Sequence, residues 1–368
     1  MAYHHFIECS SSERMLILFT ATGAPEGRFN FWQTAQELST DTHVLLVQGW
    51  SNTWYQDGVR GLGKSLNTSI KEIEKLCQSK GVREVFCSGQ SMGGYGALLF
   101  AGLVKGARAI AFGAETILDL PHSQYSRKAN RDVKVRHPDL AKSFKDGLNA
   151  LLISGERDPI DVYCANHLMG VPGVEVRTMR FVGHGPAGYL RNRARLVPTL
   201  RNFMSGEPLP PMPEYGDALS HGGFPRQFYH GWCALRSKNY AEAVYELQGA
   251  TESYPASDEA HHLLGQAYEG VGDISEAMSS YAVANSIVAR KDSMVSFASC
   301  LRRLGSDKGS LYVCKTTKNK WPDYAPAHFG EGLSYMKMGR KMDARKCFQR
   351  ACELEPLNAH YRARLERT

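Results

Sequence analysis

No run of apolar residues comes near the roughly eighteen that a membrane-crossing helix needs, so no membrane span is expected. The start, Met1-Ala-Tyr-His-His-Phe-Ile-Glu-Cys9, lacks a basic segment followed by an apolar one; no secretory signal is read there, and a cytoplasmic address is the expectation. The nine cysteines contain no C-x-x-C pair, and an odd number scattered in this way points to reduced thiols and not to a disulfide framework. Metal-ligand spacing is missing too. Cys347 and Cys352 are poorly placed on one helical face, and no second cluster completes a shell around His4, His5 and Cys9, so no metal is expected. Gly61-Leu-Gly63 does not continue as G-x-G-x-x-G after a strand, which removes a nicotinamide site, and no cofactor is expected. The formal net charge is a mild +7. Basic residues crowd two stretches, Arg127, Lys128, Arg131, Lys134 and Arg136, then Arg191, Arg193, Arg195 and Arg201. No nucleic-acid module frames them, so both read as solvated faces.

What is present is a soluble, globular composition, 43% apolar and 22% charged, in 368 residues, enough for two domains. From residue 15 to about 204, short apolar runs alternate with helical segments. Met15-Leu-Ile-Leu-Phe19, Val44-Leu-Leu-Val47, Glu84-Val-Phe-Cys87, Ala107 to Phe112, Ala150 to Ser154 and Val174 to Met179 read as strands, with a polar excursion over about 115–147. Continuous apolar strands separated by helices predict an α/β sandwich, a mostly parallel sheet covered on both faces. Gly206 to Gly216 then holds four prolines in eleven residues, which neither a helix interior nor a central strand accommodates, and residues 206–223 read as a stiff linker.

Beyond the linker, over residues 224–368, a period of 34 sets in. Gly231, Ala243 and Ala250 recur as Gly265, Ala277 and Ala284, and Gly332, Ala344, Ala351 and Pro356 repeat the internal spacings. Gly265 and Gly332 stand 67 apart, one short of two periods, so a degenerate or interrupted unit is expected over about 291–323. Small residues at this period, with Tyr268, Gly272 and Tyr281 answered by Tyr335, Gly339 and Phe348, closely resemble tetratricopeptide repeats, all-α helix pairs that stack into an array. The resemblance implies a surface for a peptide or protein partner. The departures are His328 and Glu331, where large apolar residues are usual, and Ala234 in place of an aromatic.

The chemistry is carried by Val85-Phe-Cys-Ser-Gly-Gln-Ser-Met-Gly-Gly-Tyr-Gly96, a strand running into a G-x-S-x-G turn that offers Ser91 as a nucleophile. Ligands gather at the carboxyl ends of parallel strands. Two more candidates follow such strands: Asp158 after Leu151 to Arg157, with Asp161 as its substitute, and His184 after Val176 to Gly183. Asp158 is preferred because it lies directly beyond the strand and Asp-Pro marks a turn.

Gly89-Gln-Ser-Met-Gly93, Gly155-Glu-Arg-Asp-Pro159 and Gly183-His-Gly185, in the chain order serine, acid, histidine, resemble the α/β-hydrolase superfamily over about residues 15–204 of a first domain read as 1–205, with 115–147 standing where that family carries a cap. The resemblance implies a serine that attacks an acyl carbonyl, a histidine that takes its proton and a buried acid that orients the ring. It also implies an oxyanion hole from the backbone N–H of Met92 and of Ala21 or Thr22, although no H-G-G-G segment occurs there. Trp50, Asn52, Trp54 and Tyr55, leaving a strand end, are expected to bound the substrate pocket. The leading expectation is a serine esterase acting on a small acyl or saccharide-linked ester. A thioesterase comes next, amidase and C–C lyase activities stay open, and the rival class is a binding or assembly protein whose repeats do the work.

Overall fold

Alternate residues of the central strands leave for opposite cores, which is why those strands read as nearly unbroken apolar runs. The computed structural model describes residues 3–50, 52–129 and 132–368; Arg131 of the first basic stretch lies outside them. The chain divides into two compact units, Met1–Tyr229 and His230–Thr368.

In the first unit eight strands, β1 (His4–Ile7), β2 (Arg14–Phe19), β3 (His43–Val47), β4 (Glu84–Gln90), β5 (Arg108–Phe112), β6 (Ala150–Gly155), β7 (Val174–Met179) and β8 (Tyr215–Gly216), form one sheet in the order β1-β3-β2-β4-β5-β6-β7-β8. Strands β2 to β7 run parallel, and β1 and β8 close the edges antiparallel. Met15, Ile17, Phe19, Leu45, Cys87 and Ala109 pack on one face with the helices Leu66–Ser79, Met92–Leu103 and Pro159–Leu168. Leu16, Leu18, Val44, Phe86 and Ile110 pack on the other with Trp32–Leu38, Pro186–Arg191 and Leu196–Ser205. The strand order reverses between β2 and β4, so the crevice of this sheet opens at their carboxyl ends. Between β5 and β6 the polar excursion carries two short helices, Gln124–Lys128 and Leu140–Ser143.

The proline-rich segment does more than link. Past its last proline, Pro213, the N–H groups are free to pair, and Tyr215 and Gly216 add the edge strand β8 to β7. A Cβ at Gly216 would collide with the buried carboxylate of Glu156, which accepts from the Thr178 hydroxyl at 2.6 Å and from Ala218 N–H at 3.0 Å. Residues 224–229 of the Phe224–Arg236 helix also belong to this unit, in which Tyr229 stacks on Tyr163 with ring centroids 4.5 Å apart.

The second unit continues in helix pairs. With Phe224–Arg236 and Tyr240–Ser253 before them come Asp258–Val271 with Ile274–Ile287, Lys291–Arg303 with Asp307–Lys320, Ala325–Lys337 with Lys341–Leu354, and a last helix Ala359–Glu366. A Cβ at Gly231, Gly265 or Gly332 would strike Leu247, Tyr281 or Phe348 of the paired helix, so glycine is what allows those large side chains in. The interrupted unit is a full helix pair with this exchange altered. Ala298 stands at the glycine position and Cys314 at the large one, and both are fully buried.

Candidate active site

Ser91 sits at the turn from β4 into the Met92–Leu103 helix with φ 58° and ψ −123°, a conformation a non-glycine residue adopts only under constraint. The constraint is visible on both sides. Ser91 N–H donates to the Phe112 carbonyl at 2.9 Å, and its own carbonyl accepts from Tyr95 N–H at 3.0 Å. A Cβ at Gly93 would run into the Phe19 carbonyl and one at Gly89 into the Gly93 backbone, so both glycines of the motif are required by main-chain approach.

His184 lies in the loop after β7 and brings both ring nitrogens into use. The Ser91 hydroxyl donates to Nε2 at 2.9 Å, and Nδ1 donates to Oδ1 of Asp161 at 2.7 Å. The expected acid was Asp158, and the geometry corrects this. The nearest Asp158 oxygen is 3.8 Å from Nδ1, and its other oxygen caps the Pro159–Leu168 helix, accepting from Ile160 and Asp161 N–H at 3.0 Å each. An Asp immediately before Pro is an N-cap followed by Pro at the first helical position, a signal present in the sequence that assigns Asp158 to the backbone and leaves Asp161 free to face the ring.

Asp161 is fully buried, and burial pushes its carboxyl up. For His184, burial opposes the imidazolium, but Asp161, supported by Asp158 and Glu115, outweighs that and raises the ring above the ordinary histidine value. Glu115, also buried, was not singled out by sequence. It accepts from Gln124 N–H at 2.6 Å and Tyr125 N–H at 2.9 Å, so it ties the excursion after β5 to the charge balance of the ring. Asp158, Asp161 and His184 also offer ligand atoms within 4.8 Å of one another, the spacing a cation could use. With Nδ1 donating to Asp161 and Nε2 accepting from Ser91, neither ring nitrogen has a lone pair directed at such an ion.

Met92 N–H opens the helix after Ser91 and has no acceptor among the described residues. Ala21 N–H donates to Asn30 Oδ1 at 2.8 Å, which occupies one of the two groups expected at the end of β2; Thr22 N–H is the other. The aromatic loop is mostly structural. Trp54 and Tyr55 are fully buried. The Tyr55 hydroxyl donates to the Thr20 carbonyl at 2.8 Å, bracing the end of β2 from below, and Trp54 meets Tyr125 edge to face at 5.1 Å. Trp50 is half exposed and lies beneath the Arg60 guanidinium at 4.8 Å, while Asn52 holds a left-handed turn at φ 53°. Gln56, next in line, accepts from Arg136 N–H at 2.8 Å and His137 N–H at 3.2 Å, so this loop fastens the excursion to the sheet.

Family models of the tetratricopeptide repeat match residues 325–358 and 227–257. The C-terminal helix pairs are tetratricopeptide repeats. No curated protein matches the chain. Among solved structures, MamA from Desulfovibrio magneticus RS-1 is similar at 19% identity over 39% of this chain and 82% of that one, with a TM-score of 0.37. YrrB, described as a tetratricopeptide protein with an unusual peptide-binding site, is similar at 14% identity over 50% of this chain and 89% of that one, with a TM-score of 0.37. No helix among the described residues is long and apolar enough to cross a membrane.

Proposed function

We propose that the first unit is a serine hydrolase of the α/β-hydrolase kind, cleaving a carboxylic ester through an acyl-enzyme, and that the repeats bind a peptide or protein partner. The observation that carries the reading is the unbroken hydrogen-bonded chain from Ser91 through His184 to Asp161, set on a strained turn at the reversal of strand order. In this reading Ser91 Oγ attacks the ester carbonyl as its proton passes to His184 Nε2. The imidazolium, favoured by the carboxylates behind it, returns that proton to the departing alkoxide, which leaves as the alcohol. Water then repeats the sequence on the acyl-enzyme, releasing a carboxylic acid and restoring the serine. The oxyanion at each stage faces Met92 N–H, with Thr22 N–H as the second donor.

Turnover of a panel of activated aryl esters and thioesters tests the reading. The wild type is expected to show turnover with acyl-enzyme accumulation, and Ser91→Ala to lose it by about 10⁴-fold or more. A second reading, a scaffold whose sheet unit has no catalysis, is favoured by the family matches, which fall on the repeats. Equal background rates for folded wild type and Ser91→Ala across the panel would decide for the scaffold.

A further inference from the structure

Beside Ser91 the rim of the sheet holds a cavity of about 140 Å³, with Phe31, Ala187 and Leu196 as apolar wall and Asn30, Gln90 and Arg191 as its polar side. Ser91, His184 and Asp161 do not line it themselves, but three of its lining residues adjoin the segments that carry Ser91, Thr22 and His184. Gln90 precedes Ser91, Ala21 precedes Thr22, and Ala187 follows His184 by one short turn, so a substrate held at Ser91 has this cavity for a neighbour.

The polar side offers donors and almost no acceptors. The Asn30 Oδ1 is taken by Ala21 N–H at 2.8 Å, and the Gln90 Oε1 by Gly188 N–H at 3.3 Å. Because those oxygens accept from backbone N–H groups, each amide must turn its NH₂ end the other way. Neither NH₂ group has an acceptor among the described residues. Arg191 adds a guanidinium whose one polar contact is the Asn30 carbonyl at 3.4 Å, with no carboxylate paired to it among the described residues. Two amide NH₂ groups and an unpaired guanidinium around a cavity of this size match a small, planar, acceptor-rich anion. A cavity of about 150 Å³ holds a benzene-sized group, which leaves room for a carboxylate and a short carbon stem.

Resting on the hydrolase reading, we infer that this cavity seats a carboxylate carried by the substrate, so that the preferred substrates are short esters bearing a free carboxylate close to the scissile bond. Two arms locate the carboxylate. On the acyl side, an aryl hemiglutarate is compared with the aryl ester of monomethyl glutarate. On the leaving-group side, 3-carboxyphenyl butyrate is compared with phenyl butyrate. The charged member of one pair is expected to exceed its neutral counterpart at least about 10-fold in kcat/KM, mainly through KM, and Arg191→Gln to remove that ratio while Arg191→Lys restores part of it. Arg191 is exposed, so neither change threatens folding. Neutral esters turned over as well as both charged ones by the wild type would overturn the carboxylate site and leave the hydrolase reading standing. Glutarate binding to full-length Ser91→Ala, followed by calorimetry, separates the two in the other direction: binding that Arg191→Gln abolishes supports the site whatever the turnover, and no binding by either protein sinks it.

Discussion

Asp161→Asn is expected to lower kcat by about 10⁴-fold, whereas Asp158→Asn stays within roughly tenfold of wild type, when the hydrolysis of an activated ester is followed at neutral pH. The amide at 161 cannot accept from Nδ1–H with the strength of a carboxylate and can itself donate, which turns the ring to the wrong tautomer at the atom facing Ser91. Asn at 158 still caps the helix, since Asn and Asp serve equally there, so folding is retained. The pH profile separates the two carboxylates further. His184 acts as a base only when neutral, so activity is present above its apparent pKa and falls as pH drops through it. Asp158 is one of the charges that raise the ring, and its removal therefore shifts the acidic limb to lower pH. Equal losses of kcat in the two variants, or a limb that moves upward in Asp158→Asn, would contradict the assignment of Asp161 as the acid.

Trp54→Ala is expected to destabilise the first unit by about 3–5 kcal/mol, read as a lowered midpoint of chemical unfolding, because the indole is fully buried and its contact with Tyr125 holds the excursion after β5. Read from sequence, this residue belongs to a substrate pocket, which predicts a raised KM at unchanged stability. A full-length protein that unfolds at the wild-type midpoint while KM climbs would restore that reading. Trp50, half exposed under Arg60, is the internal control, since its replacement by alanine removes no buried core.

These two residues mark where sequence is a good guide and where it is not. The alternation of apolar runs with helices foretold a covered parallel sheet, because each run had to fill two cores at once. The turn at Ser91 was legible for a related reason: Gly89 and Gly93 are dictated by main-chain approach, and such requirements leave few substitutes. The partner of the ring was harder. Asp158 and Asp161 lie three apart at a helix start, and only the rule that an Asp before Pro caps the helix distinguishes them; read as a turn marker, the same dipeptide pointed to the carboxylate that caps the helix and not to the one bonded to His184. The aromatic loop misled because an aromatic at a strand end fits a pocket or a brace equally well until burial is known. In the repeats, the 34-residue period marked three of the four helix pairs by glycine and a large residue and placed the fourth, over about 291–323, only as a degenerate unit, because Ala298 and Cys314 stand where those letters are looked for. A donor-rich cavity such as that around Arg191 has no sequence signature at all, for it depends on which way two amides are turned.

In the proposed mechanism Ser91 is a nucleophile activated by His184. Reaction of the intact, folded protein with a fluorophosphonate, followed by mass mapping of the modified peptide, tests it most directly. A single adduct on Ser91 is expected, slowed strongly in Asp161→Asn and absent in Ser91→Ala; folded wild-type protein that stays unmodified, or carries the adduct on another residue, would rule the nucleophile out.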